Sequence, residues 1–327
     1  MLNLTKPKIW GKNAGFMASL LLPFAVPYFL LLRLRSAFVK TEILPAKIIC
    51  VGNVVVGGAG KTPTCIKIAE MLMSLRSDAK IAFISKGYKG LVTSPTQVIL
   101  GQHDAKQVGD EPLLLAQYAP CFVGKNRLEV CKKAISEGYE ILILDDGLHD
   151  RRIKKDLSIM VVDGGYGFGN AMLMPAGPLR DRIDFAAKGV GVALMVGRDE
   201  RNAKELINSK IKPAPEIIVA DFESFAKPVS EKYFAFAGIG RPEKFYKTLE
   251  NKKFNVVGTK SFPDHHYYSE QDERALQKLA EAKGAKLITT EKDAIKLSTD
   301  FKANVEVLKV SITLSERNIK DRLKALI

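Results

Sequence analysis

The chain has 327 residues with 50 Lys plus Arg against 36 Asp plus Glu, a formal net charge of +14. This length suits two domains rather than one core, and 46% hydrophobic with 26% charged residues is the composition of an ordinary folded protein, without the low-complexity tracts or fixed-period repeats of solenoids and propellers. The basic excess favours a polyanion, but it is spread without a long Lys/Arg block, and neither zinc-finger spacing nor an aromatic–basic signature accompanies it, so anionic lipid or a phosphorylated substrate fits better than nucleic acid.

The first predicted element is an apolar segment. Residues 14–32 carry no charge over 19 positions, close to the ~20 that a membrane-spanning helix needs. Lys6, Lys8 and Lys12 precede it, and Arg33, Arg35 and Lys40 follow. A cleaved leader would end at small residues, whereas this run ends Leu30-Leu31-Leu32-Arg33. A buried soluble helix would be broken by Pro23 and Pro27. A membrane anchor remains, and basic residues on both flanks favour a kinked, interfacial or re-entrant anchor over a clean span.

From Lys47 onward, short β-branched runs alternate with helical stretches. The pattern predicts strands at 48–51, 81–84, 97–100, 121–123, 141–144, 158–162, 192–196 and 217–220, with helices at 63–74, 111–118, 127–136 and 199–208. Continuous apolar strands separated by helices indicate a mostly parallel sheet covered on both faces. A second set follows: strands at 233–237, 255–259, 286–289 and 305–310, helices at 242–251, 270–283 and 292–297, and a last helix from 315. The junction between two α/β lobes falls near 222–231. Cys50, Cys65, Cys121 and Cys131 form no CxxC pair, which suits a reducing compartment without disulfides or structural zinc.

The strongest local signal is Val55-Val56-Gly57-Gly58-Ala59-Gly60-Lys61-Thr62-Pro63, after a strand and opening a helix. Gly57, Gly58, Ala59 and Gly60 turn backbone N–H groups around phosphate oxygens, Lys61 reaches the β/γ-phosphates, and the Thr62 hydroxyl suits magnesium. Val55 stands where this phosphate-loop pattern usually has glycine. The strand 141–144 ends in Asp145-Asp146, a position that holds magnesium in phosphate-loop proteins. Gly109-Asp110-Glu111-Pro112 opens another helix; Asp110 reads as a cap or as an acceptor of a hydroxyl proton, with Glu111 assisting the metal. The stiff turn Pro175-Ala176-Gly177-Pro178-Leu179-Arg180 presents an arginine suited to a transferring phosphoryl group. Phe262-Pro263-Asp264-His265-His266-Tyr267 suits acid–base or hydrogen-bonding work across the cleft better than zinc.

Taken in order, these segments resemble the tetraacyldisaccharide 4'-kinase family over nearly the whole length. The resemblance also rests on Ser85–Tyr88 (SKGY), the pair Asn126-Arg127, Phe236–Phe245 (FAGIGRPEKF) and Thr289–Ala294 (TTEKDA). It implies transfer of the γ-phosphate of ATP to the 4'-hydroxyl of an acylated glucosamine disaccharide 1-phosphate. It implies Asp110 as catalytic base with His265 as its dyad partner and Asp264 beside it, Lys61 and Arg180 on the migrating phosphoryl group, and Arg127 as an active-site arginine. Thr62, Glu111, Asp145 and Asp146 match magnesium-associated positions. Lys86, His149-Asp150 and Asp181 depart from the family's usual Arg, Gln-His and Glu. The expectation is thus an α/β phosphate-loop fold: an anchor at 1–40, a kinase domain at 41–225, and a smaller α/β lobe at 226–327. ATP and Mg²⁺ are the implied cofactors, the cytoplasmic face of a bacterial inner membrane the implied place, and an anionic leaflet and the lipid acceptor the implied partners, with no obligate protein partner evident.

Overall fold

The computed structural model describes residues 8–11, 15–224 and 230–327. Lys6, Lys12 and Ala14 of the apolar segment's flank, and 225–229 of the expected junction, lie outside them. A large sheet is built from β1 (Lys47–Gly52), β2 (Ile81–Ser85), β3 (Thr96–Gln97), β4 (Cys121–Val123), β5 (Ile141–Asp145), β6 (Leu157–Asp163), β7 (Val192–Val196) and β8 (Glu216–Glu223). A second sheet takes β9 (Lys232–Ala237), β10 (Asn255–Ser261), β11 (Lys286–Thr290) and β12 (Val305–Leu308), and the chain then returns to the first with β13 (Ser311–Leu314). The orders are β13-β8-β7-β6-β1-β5-β2-β4-β3 and β10-β9-β11-β12.

The central strands are apolar through their middles, with polar residues such as Lys47 and Asp145 mainly at their ends, because helices cover both faces. On β1, Ile49 and Val51 pack with Ile141, Ile143, Ile81 and Phe83 in one layer, while Ile48 and Cys50 pack with Leu142, Leu144 and Ile84 in the other. The first layer is closed by the helix α2 (Lys61–Leu75), which buries Cys65, Ile68, Ala69 and Leu72 at helical spacing. Strand order reverses at β1 and β5, so the crevice beyond their carboxyl ends is the natural ligand site.

Most boundaries shift by one to three residues, and the larger departures have local reasons. The strand expected at 97–100 stops at Gln97, antiparallel to β4, because the chain turns at Gly101 (φ 82°) and His103 Nδ1 accepts from the Ile99 N–H. The helix expected at 199–208 runs Ala203–Lys210: Asp199 accepts from the N–H groups of Ala203 and Lys204, and Asn202 is left-handed. The helix expected at 292–297 is the shorter Glu291–Ala294. The lobe expected to fill 226–327 needs correction at its end. The single strand expected at 305–310 is two strands in different sheets; β13 pairs antiparallel with β8, and Ile312, Ile319 and Leu323 join the core under α2.

Residues Phe16–Ala37 form one 22-residue helix, α1, running through Pro23 and Pro27. At 1.5 Å per residue it spans about 33 Å, long and apolar enough to cross a membrane. Its inner stripe is Ala18, Leu21, Ala25, Tyr28, Leu32 and Ser36; Phe16, Met17, Leu20, Phe24, Leu30, Leu31 and Leu34 are exposed.

Candidate active site

The phosphate loop leaves β1 at Gly52 and enters α2 at Lys61. Gly57 (φ 106°) and Gly60 (φ 93°) hold backbone that side-chain-bearing residues avoid. The Asn53 side chain donates to the Gly57 carbonyl at 3.1 Å and braces the turn. Val55, the departure from the usual glycine, is buried and bridges Leu179. Around it the Val56 N–H donates to the Pro178 carbonyl (2.9 Å) and the Arg180 N–H to the Val54 carbonyl (3.0 Å). The turn at 175–180 is therefore an extra strand-like partner of the phosphate loop, and Val55 serves that pairing. His149, from another departure, sits under the loop with Nε2 3.1 Å from the Asn53 carbonyl oxygen, while Asp150 is taken by Arg152.

Two acids end β5. Asp145 is 2% exposed and has no basic side chain within ion-pair range among the described residues. Burial, and then the charge of Glu111, push its carboxyl up to about 7. The Arg127 guanidinium donates to the Asp145 carbonyl oxygen at 2.8 Å, fixing the strand end rather than the carboxylate. Asp146, at φ 55°, turns back over the loop. It accepts from Arg180 Nη1 at 2.6 Å and lies 3.9 Å from Lys61 Nζ. Burial opposes its ionisation, but Lys61 and Arg180 outweigh that and hold it well below the usual carboxylate range.

The smaller lobe supplies the opposite wall, where His265 and Lys292 meet Asp110 of the larger lobe. Asp110 opens the helix Asp110–Ala116 after Gly109 (φ 92°), and its carboxylate is buried. His265 Nδ1 lies 2.8 and 3.0 Å from its two oxygens, and Lys292 Nζ 3.7 Å away. Burial again opposes ionisation; Lys292 and His265 overcome it and keep Asp110 charged at neutral pH. Lys292 also reaches Glu111 Oε1 at 3.2 Å, and burial of this ammonium is more than offset by Glu111 and Asp110. Asp264 Oδ2 is 3.8 Å from His265 Nε2, and the Tyr88 ring of the SKGY segment lies 5.4 Å from the imidazole. His266 instead pairs with Asp272 at 3.1 Å. A second tie joins the lobes where Arg241 and Lys244 grip Asp163 at 2.9 and 2.6 Å.

One polar chain thus runs from His265 through Asp110, Lys292 and Glu111 to Asp145, Asp146, Lys61 and Arg180. The described contacts link Asp110, His265, Glu111, Lys61, Asp146 and Arg180 of the residues singled out in the sequence, while His266 turns to Asp272, and they add Lys292. Its signal was β11 running into Thr290, whose hydroxyl caps the helix Glu291–Ala294 and aims the next turn at the crevice. Among the described residues no three His, Cys, Asp or Glu side chains form a ready-made metal cage. Magnesium does not need one, since it takes one or two carboxylates with phosphate oxygens and water. Asp146 Oδ1 is buried without a hydrogen-bond donor, and Asp145 and Glu111 repel each other; both features fit a divalent cation.

Comparison with known proteins points the same way. The profile of the tetraacyldisaccharide-1-P 4'-kinase family (LpxK) matches residues 17–327. A tetraacyldisaccharide 4'-kinase of Paramagnetospirillum magneticum is 41% identical over 315 residues, covering 94% of this chain and 93% of that one. One from Rhodospirillum rubrum is 39% identical over 313 residues, covering 95% and 94%. The crystal structure of LpxK from Aquifex aeolicus in complex with ATP superposes with a TM-score of 0.77 at 26% identity, covering 95% of this chain and 99% of that one. A profile match over residues 17–327, relatives 39% and 41% identical over nearly their whole length and the same fold place this chain in the tetraacyldisaccharide 4'-kinase family.

Proposed function

We propose that this enzyme transfers the γ-phosphate of ATP to the 4'-hydroxyl of a tetraacylated glucosamine disaccharide 1-phosphate, giving lipid IVA, at the cytoplasmic face of a bacterial inner membrane. The observation that carries the reading is the Asp110–His265 pair, 2.8 Å apart, tied through Lys292 to Glu111, whose charge acts on Asp145 at the end of β5. The loop backbone from Gly57 to Gly60 and the start of α2 cradle the triphosphate. The 4'-oxygen attacks the γ-phosphorus, the bond to the β,γ-bridging oxygen breaks, and ADP leaves. Asp110 takes the hydroxyl proton while His265 Nδ1 orients its carboxylate. A weak base suffices, because in a loose phosphoryl-transfer transition state little charge has built up on the attacking oxygen.

Lys61 and Arg180 counter charge on the equatorial oxygens, and Arg127 holds the end of β5 where the acids begin. Thr62, Glu111, Asp145 and Asp146 are the residues that would hold Mg²⁺, which supplies charge neutralisation at the β- and γ-phosphates. The exposed apolar face of α1, with the net charge of +14, suits a lipid acceptor held in an anionic leaflet. Soluble ATP places both lobes on the cytoplasmic side. The test supplies labelled ATP, magnesium and the disaccharide 1-phosphate lipid in mixed micelles. Label at the 4'-position is expected; folded protein that transfers none overturns the assignment.

A further inference from the structure

The N-terminal helix is joined to the arginine turn more closely than an anchor requires. The Tyr28 hydroxyl donates to the main-chain carbonyl of Arg180 at 2.8 Å. One turn further on, the Arg33 guanidinium pairs with the Asp181 carboxylate. Its plane lies 3.7 Å from the Phe185 ring centroid and 5.0 Å from that of Phe29 on its own helix. Asp181 is 7% exposed, and its other cation is Arg151 at 3.6 Å. Ahead of α1, the Trp10 indole N–H donates to the Pro175 carbonyl (2.9 Å), and the Asn170 N–H donates to the Trp10 carbonyl (3.0 Å). The N-terminal segment therefore grips the turn at 170, 175, 180 and 181.

The opposite side of the same turn is hydrogen-bonded to the phosphate loop through Val54 and Val56. Arg180 is thus held at both ends of its own residue: its N–H by the phosphate loop, its carbonyl by α1. A guanidinium aids a transferring phosphoryl group most when it is preorganised, and a misplacement of about 1 Å can cost on the order of 100-fold. The chain spends a half-buried tyrosine hydroxyl and a stacked arginine of an otherwise apolar helix on that backbone.

We propose that α1 is a positioning element of the active site as well as an anchor. Tyr28 and Arg33 clamp the turn so that Arg180 faces the phosphoryl group when the helix is seated, coupling membrane engagement to transfer. This rests on the reading of Arg180 given above. Tyr28→Phe removes one hydroxyl and keeps the ring's packing; Arg33→Met keeps a long apolar stem and loses the charge.

The test uses the full chain in mixed micelles containing the disaccharide 1-phosphate, with sedimentation on anionic phospholipid vesicles alongside. Each variant is expected to lose about ten-fold or more in kcat. The KM for ATP and vesicle binding should stay at wild-type values. In an Arg180→Ala background, Tyr28→Phe should cost nothing more, because the group it positions is gone. The same fold-loss in both backgrounds, a loss of vesicle binding that parallels the loss of activity, or full activity of both single variants overturns the inference. If Arg33→Met fails to fold, the Tyr28→Phe cycle decides alone. Wild-type protein that transfers no phosphate would instead sink the proposed function, so the two failures are distinct.

Discussion

Asp145→Asn should make the ligand-free protein more stable, and increasingly so as pH rises. The carboxyl is buried at the end of β5 with the Cys65 thiol at 3.8 Å; burial and then Glu111 raise its pKa, and the charges of Lys61 and Arg127 offset only part of that. Burial and Glu111 raise it from 3.8 to about 7. The sign follows from proton counting. Between those two values the folded chain keeps a proton that the unfolded chain releases, so stability is present at low pH and lost as pH climbs through 7. From pH 5 to pH 8 this group alone should withdraw about 3 kcal/mol from the wild type. Asparagine has nothing to titrate and escapes the loss.

Other groups do not blur the comparison. Asp110 and Asp146 are held below their ordinary value of 3.8, so the stability they contribute is lost only as pH falls beneath this window. His149, kept low by burial and by Arg180, works in the opposite direction, but it is common to both proteins and cancels in the difference. The assay is thermal unfolding in chelator, without nucleotide, across the range. The midpoint of Asp145→Asn should gain on the wild type by roughly 5 °C between the two ends. A difference that stays flat with pH, or an Asn variant less stable than the wild type at pH 8, would refute the picture of a buried carboxylate whose burial outweighs the cations around it.

Asp110→Asn should lower kcat by roughly 100-fold or more with ATP affinity intact, whereas Lys61→Met should lose both, as isothermal titration and the transfer assay will separate. Lys292→Met leaves Asp110 paired with His265 only, so the acid limb of the kcat/KM profile should move to higher pH; a limb that stays in place removes Lys292 from the reasoning. Gly60→Ala forces a side chain into φ 93° and within 2.8 Å of the Phe222 ring; a cost of about 1–2 kcal/mol in the loop should appear as weaker ATP binding.

The sequence exposed whatever is local. The phosphate loop from Gly57 to Thr62 was legible because one turn of backbone carries its chemistry, and β1 and β5 because strands buried on both faces are apolar between their ends. Asp145 and Asp146 stood out as acids ending such a strand. The Asp110–His265 pairing spans 155 positions, and no spacing rule reaches that far; only the family resemblance linked the two. Lys292 stayed unassigned because a lysine beside Glu291 and Asp293 looks like any charged first turn. The sheet change between Leu308 and Ser311 was hidden because a short β-branched run has the same pattern in either sheet. The Tyr28 and Arg33 contacts were masked by the apolarity that made α1 conspicuous.

The contacts of Asp146 bear on how Lys61 and Arg180 would receive phosphate in the proposed reaction. Lys61 and Arg180 both lean on Asp146, whose other needs are unmet, since Oδ1 is buried without a donor. In the proposed reaction a triphosphate entering the loop would compete with Asp146 for the same two cations, exchanging one anionic partner for another, so that neither cation need be desolvated alone. The displaced carboxylate would then be available to a divalent cation, in the role proposed for it. Asp146→Asn should separate these two roles. Without the competing charge, ATP in chelator should bind more tightly than to the wild type, while the gain in affinity and turnover on adding magnesium should shrink. If ATP in chelator binds the variant no better, Asp146 is not the stand-in for phosphate, and the exchange between carboxylate and triphosphate does not occur.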